Sequence, residues 1–288
     1  MSTITMVRIL VVLLVLILEP IFSVAGVPSD KLPDKMHPAE RALLGIIDPR
    51  LLPIGYCGQE KLVYDISWTG GLKIGELYLN VNALPGTKDD FEIRARVTTK
   101  NGAINLIYPV EDLHVTKVRG EKRLPYHYEV WQREGFNYRA HRMLDYNQDT
   151  GYIRYMKNDR LEGEYHVGGE INNEFSSFFN SRLMAFDIGE QFVVPTFADK
   201  RRVEVVVHAV SLKRLDKTIL GPVETVAIMP IMNFKGLYDK KGDTVIWYTN
   251  DECRVPVRVN SKIVIGSLTA DLTEYVNPAC TRYPALKK

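Results

Sequence analysis

The chain has 288 residues, of which 45% are hydrophobic and 25% are charged. This composition excludes a disordered chain, a collagen-like chain, a coiled coil and a small disulfide scaffold, and the length allows one large domain or two small ones. Lys and Arg number 37 and Asp and Glu number 35, so the formal net charge of +2 gives no indication of a nucleic-acid partner.

The first thirty residues have the pattern of a secretory signal peptide. Arg8 precedes an apolar run from Ile9 to Leu18, and small residues follow up to Gly26. The run is too short to cross a hydrocarbon core, which takes roughly 20 residues. We predict a signal peptide over residues 1–26, cut after Ala25 or Gly26, and a mature chain without a membrane span. The alternative is an uncleaved anchor, because Glu19-Pro20 is unusual near a cleavage site.

Export would place the three cysteines in an oxidising compartment, where at least one of them stays unpaired. Cys57 precedes the first strand-like segment and Cys280 follows the last. We therefore predict a Cys57–Cys280 disulfide. Cys253 would then be a free, half-buried thiol.

Residues 27–57 are rich in proline and are predicted to form an N-terminal arm with one helical candidate, residues 37–44. After this arm, apolar and polar residues alternate in a series of segments. These segments are residues 61–68, 74–83, 91–99, 126–134, 137–146 and 151–157. Turn signals and short spacings between them favour antiparallel hairpins, so we predict a meander.

The two faces of the early segments differ from those of the later ones. In the first segment Leu62, Tyr64 and Ile66 share one face and polar residues take the other, which predicts one buried and one solvated face. Three later segments, residues 201–210, 224–234 and 261–272, are apolar on both faces. Both of those faces should be covered, either by protein on each side or by protein on one side and a ligand cavity on the other.

A single helix is predicted over residues 172–186. The residues at spacings of three and four are Phe175, Phe178, Phe179, Arg182, Leu183 and Phe186. Asn172 or Asn173 would cap it. Its apolar stripe suits packing across the mouth or the open side of a curved sheet, either as an ordinary core helix or as a mobile lid.

Three segments carry a more specific resemblance: residues 68–81, 175–192 and 245–272. The most distinctive residues are Trp247, Asp251 and the run Arg254–Val257. From about Gly58 to Tyr275, the chain resembles the exported bacterial proteins grouped as domain of unknown function 3108. The resemblance implies a periplasmic location and, by analogy, a fold similar to the partly open barrels of lipoprotein carriers and lipid-binding envelope proteins. It implies no activity, and Cys253 stands where a polar or charged residue is expected.

The fold we expect is all-β. It consists of a large curved antiparallel sheet or a partly open β-barrel with a short helix on the concave side. We place it in a single domain over residues 58–275, followed by a C-terminal tail over residues 276–288.

Motifs of catalysis and cofactor binding are missing from the sequence. It contains no nucleophile elbow, no zinc-protease motif, no phosphate-binding loop and no Cys-x-x-Cys pair. We therefore expect no cofactor. The six histidines are scattered singly, and although His127 and His141 could approach on paired strands, their spacing does not predict a metal site.

Carboxylates need no motif, because glycosidases bring distant Asp and Glu residues together in the fold. Four candidates are Asp65, Glu76, Glu129 and Glu164. The alternation places Asp65 and Glu76 opposite the apolar rows of their strands, where solvated residues belong.

Two arginines are candidates for ligand contact. Arg182 would lie among the helix phenylalanines and must pair with a carboxylate, with Asp251 or Asp187 as the expected partner, or meet an anionic ligand. Arg254 would face solvent or an anionic head group, next to Pro256, which indicates a sheet edge or a bulge. The candidate ligand-binding residues are Phe175, Phe178, Phe179, Arg182, Trp247 and Arg254.

We therefore expect a periplasmic envelope protein that binds a lipid, a lipidated peptide or another hydrophobic ligand in the concavity of its sheet, without catalysis. Envelope proteins are further candidate partners. The alternatives are an enzyme that acts on envelope polysaccharide and a structural or protein-binding scaffold. An integral outer-membrane barrel is disfavoured by charged residues on the outward faces of the early strands.

Overall fold

The computed structural model describes residues 43–287, except residues 70, 103, 186, 232–243 and 264–265. The predicted signal peptide, the arm before residue 43 and Phe186 lie outside the described residues. No helix in the described part of the chain is long and apolar enough to cross a membrane.

The described chain is built mainly of strands. The strands are β1 (Leu43–Leu44), β2 (Gln59–Trp68), β3 (Leu72–Ala83), β4 (Phe91–Thr98), β5 (Glu111–Arg119), β6 (Leu124–Glu134), β7 (Tyr138–Asn147), β8 (Tyr152–Lys157), β9 (Arg160–His166), β10 (Gln191–Ala198), β11 (Arg201–Leu215), β12 (Val223–Ile231), β13 (Thr244–Thr249), β14 (Pro256–Lys262), β15 (Ser267–Val276) and β16 (Ala285–Lys287). The helices are α1 (Leu52–Gly55) and α2 (Glu174–Ser181).

All these strands belong to one sheet. Its order is β1-β10-β11-β12-β13-β14-β15-β2-β3-β4-β5-β6-β7-β8-β9, with β16 added to β15. Neighbours are antiparallel except β1 and β10, which are parallel. The expected all-β fold with one large sheet is confirmed. The meander runs from β2 to β9 and includes two strands that the sequence analysis did not predict, β5 and β9.

The two ends of the sheet meet, which curves it into a partly open barrel. We call this junction between the β8–β9 hairpin and the β10–β11 hairpin the seam. A bridge joins Asn172 to Thr196, and the rings of Tyr165 and Phe197 lie 5.2 Å apart. Arg202 also donates a hydrogen bond to the carbonyl of Gly168. No ladder of backbone hydrogen bonds links β9 to β10 among the described residues, so the seam is held by the backbone hydrogen bonds between Asn172 and β10 and by side chains.

Several predicted elements differ from the observed ones. The end of the predicted helix over residues 37–44 is strand β1, because Leu43 and Leu44 pair with β10. The predicted helix over residues 172–186 is shorter, and α2 ends at Ser181. The segment over residues 261–272 is divided between β14 and β15. Pro256 stands opposite a register shift between Trp247 and Tyr248, so the predicted bulge is confirmed, but β14 is an interior strand.

The faces of the early strands follow the prediction. Leu62, Tyr64 and Ile66 are buried and alternate with less buried residues. The expected cover over both faces of the later segments is incomplete, because Val210 and Leu212 of β11 are 39% and 55% exposed.

The predicted disulfide is wrong. The structure joins Cys253 to Cys280 with their Cα atoms 5.5 Å apart, and Cys57 is the free thiol. All three cysteines lie at the same end of the barrel, where β2 begins, β13 ends and β15 ends. The turn that follows β13 carries Cys253 to Cys280, a contact that strand order alone does not reveal.

Candidate functional site

Helix α2 lies on the concave side of the sheet and is fixed at its first turn by a capping box. The side chain of Asn173 accepts a hydrogen bond from the Ser176 backbone N–H at 2.9 Å, and the Ser176 hydroxyl accepts one from the Asn173 backbone N–H at 3.0 Å. Asn173 also donates to the Thr116 hydroxyl of β5 at 3.0 Å. The Thr196 hydroxyl of β10 donates to the Ser177 hydroxyl at 3.1 Å, so the helix is tied to both sides of the barrel.

Arg182, which follows α2, forms a fully buried ion pair with Glu60. Its Nη2 lies 2.8 Å from the Glu60 Oε1, and both side chains have no exposed surface. Asn277 donates a second hydrogen bond to the same oxygen at 3.0 Å. Burial alone would lower the pKa of Arg182, but the Glu60 carboxylate outweighs it and raises this pKa. The partner predicted from the sequence, Asp251 or Asp187, is therefore wrong.

The phenylalanines of α2 divide into two groups. Phe179 is completely buried, and the Arg182 guanidinium lies 5.5 Å from its ring centre. Phe178 meets the Phe179 ring edge-on at 5.3 Å and lies 6.4 Å from Tyr248. Phe175 faces the other way, with its ring 4.9 Å from that of His114. The interior beside Phe179 is thus filled by protein.

Trp247 and Arg254 lie apart from this group. Tyr248, the neighbour of Trp247 in the chain, is the residue of β13 that faces α2, and strand alternation turns Trp247 to the opposite face. There the Lys213 ammonium lies 5.9 Å from the Trp247 ring. Arg254 is half-buried in the turn before β14, where burial lowers its pKa and the nearby charge of Asp251 opposes that change.

A cavity of about 40 Å³ lies at the seam, next to the first turn of α2. Its apolar lining comes from Tyr128, Val130, Leu144, Tyr155, Phe197 and Ala198. Its polar lining comes from Arg142, Glu174, Asp199 and Lys200. Phe175 lies behind this lining, with its ring 6.1 Å from that of Tyr128. The cavity therefore combines apolar walls with cationic and anionic groups.

Buried titratable groups line the inner face of β5, a strand that the sequence analysis missed. Burial, together with the charge of Glu134, raises the pKa of Asp112 to about 7. Burial lowers the pKa of His114 to about 3, and its Nδ1 lies 2.9 Å from the Tyr128 hydroxyl. The alternation of Asp112, His114 and Thr116 with less buried neighbours is the signal that could have identified the strand.

The carboxylates singled out in the sequence lie away from this cavity. Asp65 and Glu76 face each other across β2 and β3, and both bind the Lys73 ammonium at 2.7 Å. Glu129 accepts a hydrogen bond from His141 at 2.7 Å, and Glu164 pairs with Tyr152. None of these pairs reaches the cavity lining.

The predicted approach of His127 and His141 on paired strands is confirmed, and both side chains lie next to the Glu129 carboxylate. Its second oxygen lies 3.6 Å from the His127 Nε2. His127 Nδ1 in turn lies 2.7 Å from Asp145. In the described ranges, no group of three or more His, Cys, Asp or Glu side chains is arranged to hold a metal ion.

The model of the family described as protein of unknown function (DUF3108) matches residues 63–273. The chain belongs to this DUF3108 family. The match runs from within β2 to within β15, so it covers most of the barrel and all of α2. No curated protein matches this DUF3108 chain.

Two solved structures are similar to this DUF3108 protein. One is a beta-barrel-like protein of domain of unknown function DUF1849 from Brucella abortus, with 10% identity, a TM-score of 0.52 and coverage of 76% of this chain and 97% of that chain. The other is the hypothetical protein CT021 from Chlamydia trachomatis, with 9% identity, a TM-score of 0.35 and coverage of 80% and 92%. The first likeness supports the barrel-like fold alone.

Proposed function

We propose that this DUF3108 protein is an exported envelope protein that binds an amphiphilic ligand, such as a lipid, at the seam of its barrel without catalysing a reaction. The observation that carries the proposal is the seam cavity, whose walls are mostly apolar and whose polar lining sets Arg142 and Lys200 beside Glu174 and Asp199. Such a lining suits an apolar chain with a polar head group.

Export is supported by two features. The N-terminal sequence has the pattern of a signal peptide. The Cys253–Cys280 bond belongs to proteins of oxidising compartments and is rare in the cytosol of most organisms. Together they favour the periplasm as the location.

The seam offers a ligand a way in. A volume of about 40 Å³ holds only a few water molecules, so a longer ligand must part the walls. Because no backbone ladder joins β9 to β10 in the described part of the chain, these two strands can separate while the hydrogen bonds between Asn172 and β10 stay in place. Lys200 stands at the entrance, 40% exposed and 4.0 Å from Glu162, where it can turn toward an acidic group.

The site lies at the first turn of α2 and not at its end. Phe179 and Arg182 have no exposed surface, so a ligand in the cavity does not touch them. Phe175 supports the wall through Tyr128. Variants of Phe179 or Arg182 would therefore test the stability of the barrel, and variants of the cavity lining test binding.

The experiment is native mass spectrometry of the exported, processed protein, followed by organic extraction and lipid analysis of the same preparation. We expect one bound amphiphile per chain in the wild type. Ala198→Leu fills the cavity and should abolish retention, whereas Val210→Leu, on the exposed face of β11, should not change it. A ligand-free wild-type mass, or full retention by a folded Ala198→Leu variant, would refute the proposal.

A further inference from the structure

Large apolar side chains are exposed to solvent at one end of the barrel. At this end the chain turns from β4 to β5 and from β6 to β7. Leu106 is 87% exposed, Ile107 66% and Phe136 69%. We call these three residues the apolar tip. The two loops that carry them are joined, because the Gly135 N–H donates a hydrogen bond to the Pro109 carbonyl at 2.8 Å.

The loops that hold the apolar tip are anchored. Tyr108 is 6% exposed, and the Val110 backbone pairs with Glu134. Val110 also donates its N–H to the Thr99 hydroxyl at 2.8 Å. The tip therefore projects from a fixed base. Exposed apolar groups of this kind mark contact sites for membranes or proteins.

Basic side chains surround the apolar tip. Lys100, Arg133 and Arg139 are exposed, and none of the three forms an ion pair with another described side chain. Arg96 pairs with Glu111 at 2.6 Å. The hydrogen bond from Arg96, aided by the charges of Arg133 and Lys100, outweighs the effect of burial and lowers the pKa of the Glu111 carboxyl. Counting Glu111, the half-buried Glu134 and the buried Asp112, four cations stand with three carboxyl groups.

We infer that the apolar tip docks this end of the barrel onto an anionic lipid bilayer. Leu106, Ile107 and Phe136 would enter the interface between head groups and acyl chains, and the basic ring would contact acidic head groups. The charge complementarity selects a membrane over an uncharged apolar partner. The Ala198–Arg201 turn at the seam lies at the same end of the barrel, so docking would bring the cavity to the lipid surface.

The test is flotation of the processed protein with vesicles of phosphatidylcholine alone and of phosphatidylcholine with phosphatidylglycerol. We expect binding to the anionic vesicles that weakens as salt is added. The triple variant Leu106→Ser, Ile107→Ser and Phe136→Ser should lower the vesicle-bound fraction about tenfold. The triple variant Lys100→Gln, Arg133→Gln and Arg139→Gln should lose the preference for phosphatidylglycerol.

The control replaces Val210 and Leu212 by Ser, since these exposed apolar residues lie on β11 away from the tip. It should float like the wild type. Ala198→Leu should also float normally, so docking and ligand retention can fail separately. Absence of wild-type binding to the anionic vesicles, or unchanged binding by the folded tip variant, overturns the inference.

Discussion

The carboxylate of Glu60, in the first residues of β2, and the guanidinium of Arg182, just after α2, form an ion pair of 2.8 Å with no exposed surface on either side chain. They are 122 residues apart in the chain. This pair connects the end of the only long described helix to the strand that starts the meander. It fixes the C-terminal end of α2 against β2.

Breaking this pair should strongly destabilise the fold. Glu60→Gln leaves the Arg182 charge buried without a counter-charge, and we expect the free energy of unfolding to fall by about 3–5 kcal/mol. Urea unfolding followed by tryptophan fluorescence measures this change.

The matched control is Glu274→Gln, which breaks a cross-strand pair with Lys61 of 2.7 Å whose side chains are 19% and 42% exposed. Because water screens that pair, the loss should be below about 1 kcal/mol. The double variant Glu60→Leu with Arg182→Met should lose less than the sum of its single variants. Equal, small effects of Glu60→Gln and Glu274→Gln would contradict the assigned role.

The strands with clear alternation could be predicted from the sequence, and so could α2. Asn173 is a strong capping residue and the phenylalanines recur at helical spacing, so both signals are local. Strand β9 was missed because most of its residues are exposed and it has no apolar face. Strand β10 was missed because it is buried on both faces and contains Pro195.

The candidate site was harder to predict because it depends on contacts between distant segments. The partner of Arg182 lies on β2, and no local spacing connects it to α2. The seam brings the β10–β11 turn to β6 and β7, which follows only when the curvature of the whole sheet is known. Trp247, a candidate ligand-binding residue, is a partly buried side chain packed against the core, and Tyr248 is the residue of β13 that faces the helix.

Alkylation of the exported protein should identify the disulfide. Without reduction, iodoacetamide applied to the unfolded chain should label Cys57 alone, and after reduction it should label all three cysteines. Peptide mass mapping measures both results. Cys253→Ser with Cys280→Ser should lower the free energy of unfolding by about 3 kcal/mol, because the unfolded chain gains freedom. Cys57→Ser should have a much smaller effect, and label on Cys253 before reduction would contradict the pairing.

Asp112 should make the fold less stable as the pH rises. Its pKa is raised to about 7 by burial and by Glu134, so the folded state holds a proton that the unfolded state releases from about pH 4. The free energy of unfolding should therefore fall between about pH 4 and pH 7.

Asp112→Asn keeps an oxygen for the Arg133 backbone N–H and should stabilise the fold more at pH 8 than at pH 5. Denaturant titrations at both values test this, with the exposed turn variant Asp149→Asn as the control, and an equal effect at the two values would contradict it.

His114 should act in the opposite direction over nearly the same range. Burial, aided by the charge of Arg142, lowers the pKa of this histidine to about 3, so below about pH 6.5 the unfolded state binds a proton that the folded state excludes. The free energy of unfolding should fall as the pH is lowered from about 6.5 towards 3.

His114→Asn keeps a polar partner for the Tyr128 hydroxyl and should remove this loss, whereas His166→Asn on exposed β9 should not. Because Asp112 and His114 oppose each other, the wild-type profile should be flatter than that of either single variant. A His114→Asn variant with the wild-type acid slope would show that the histidine is protonated in the fold.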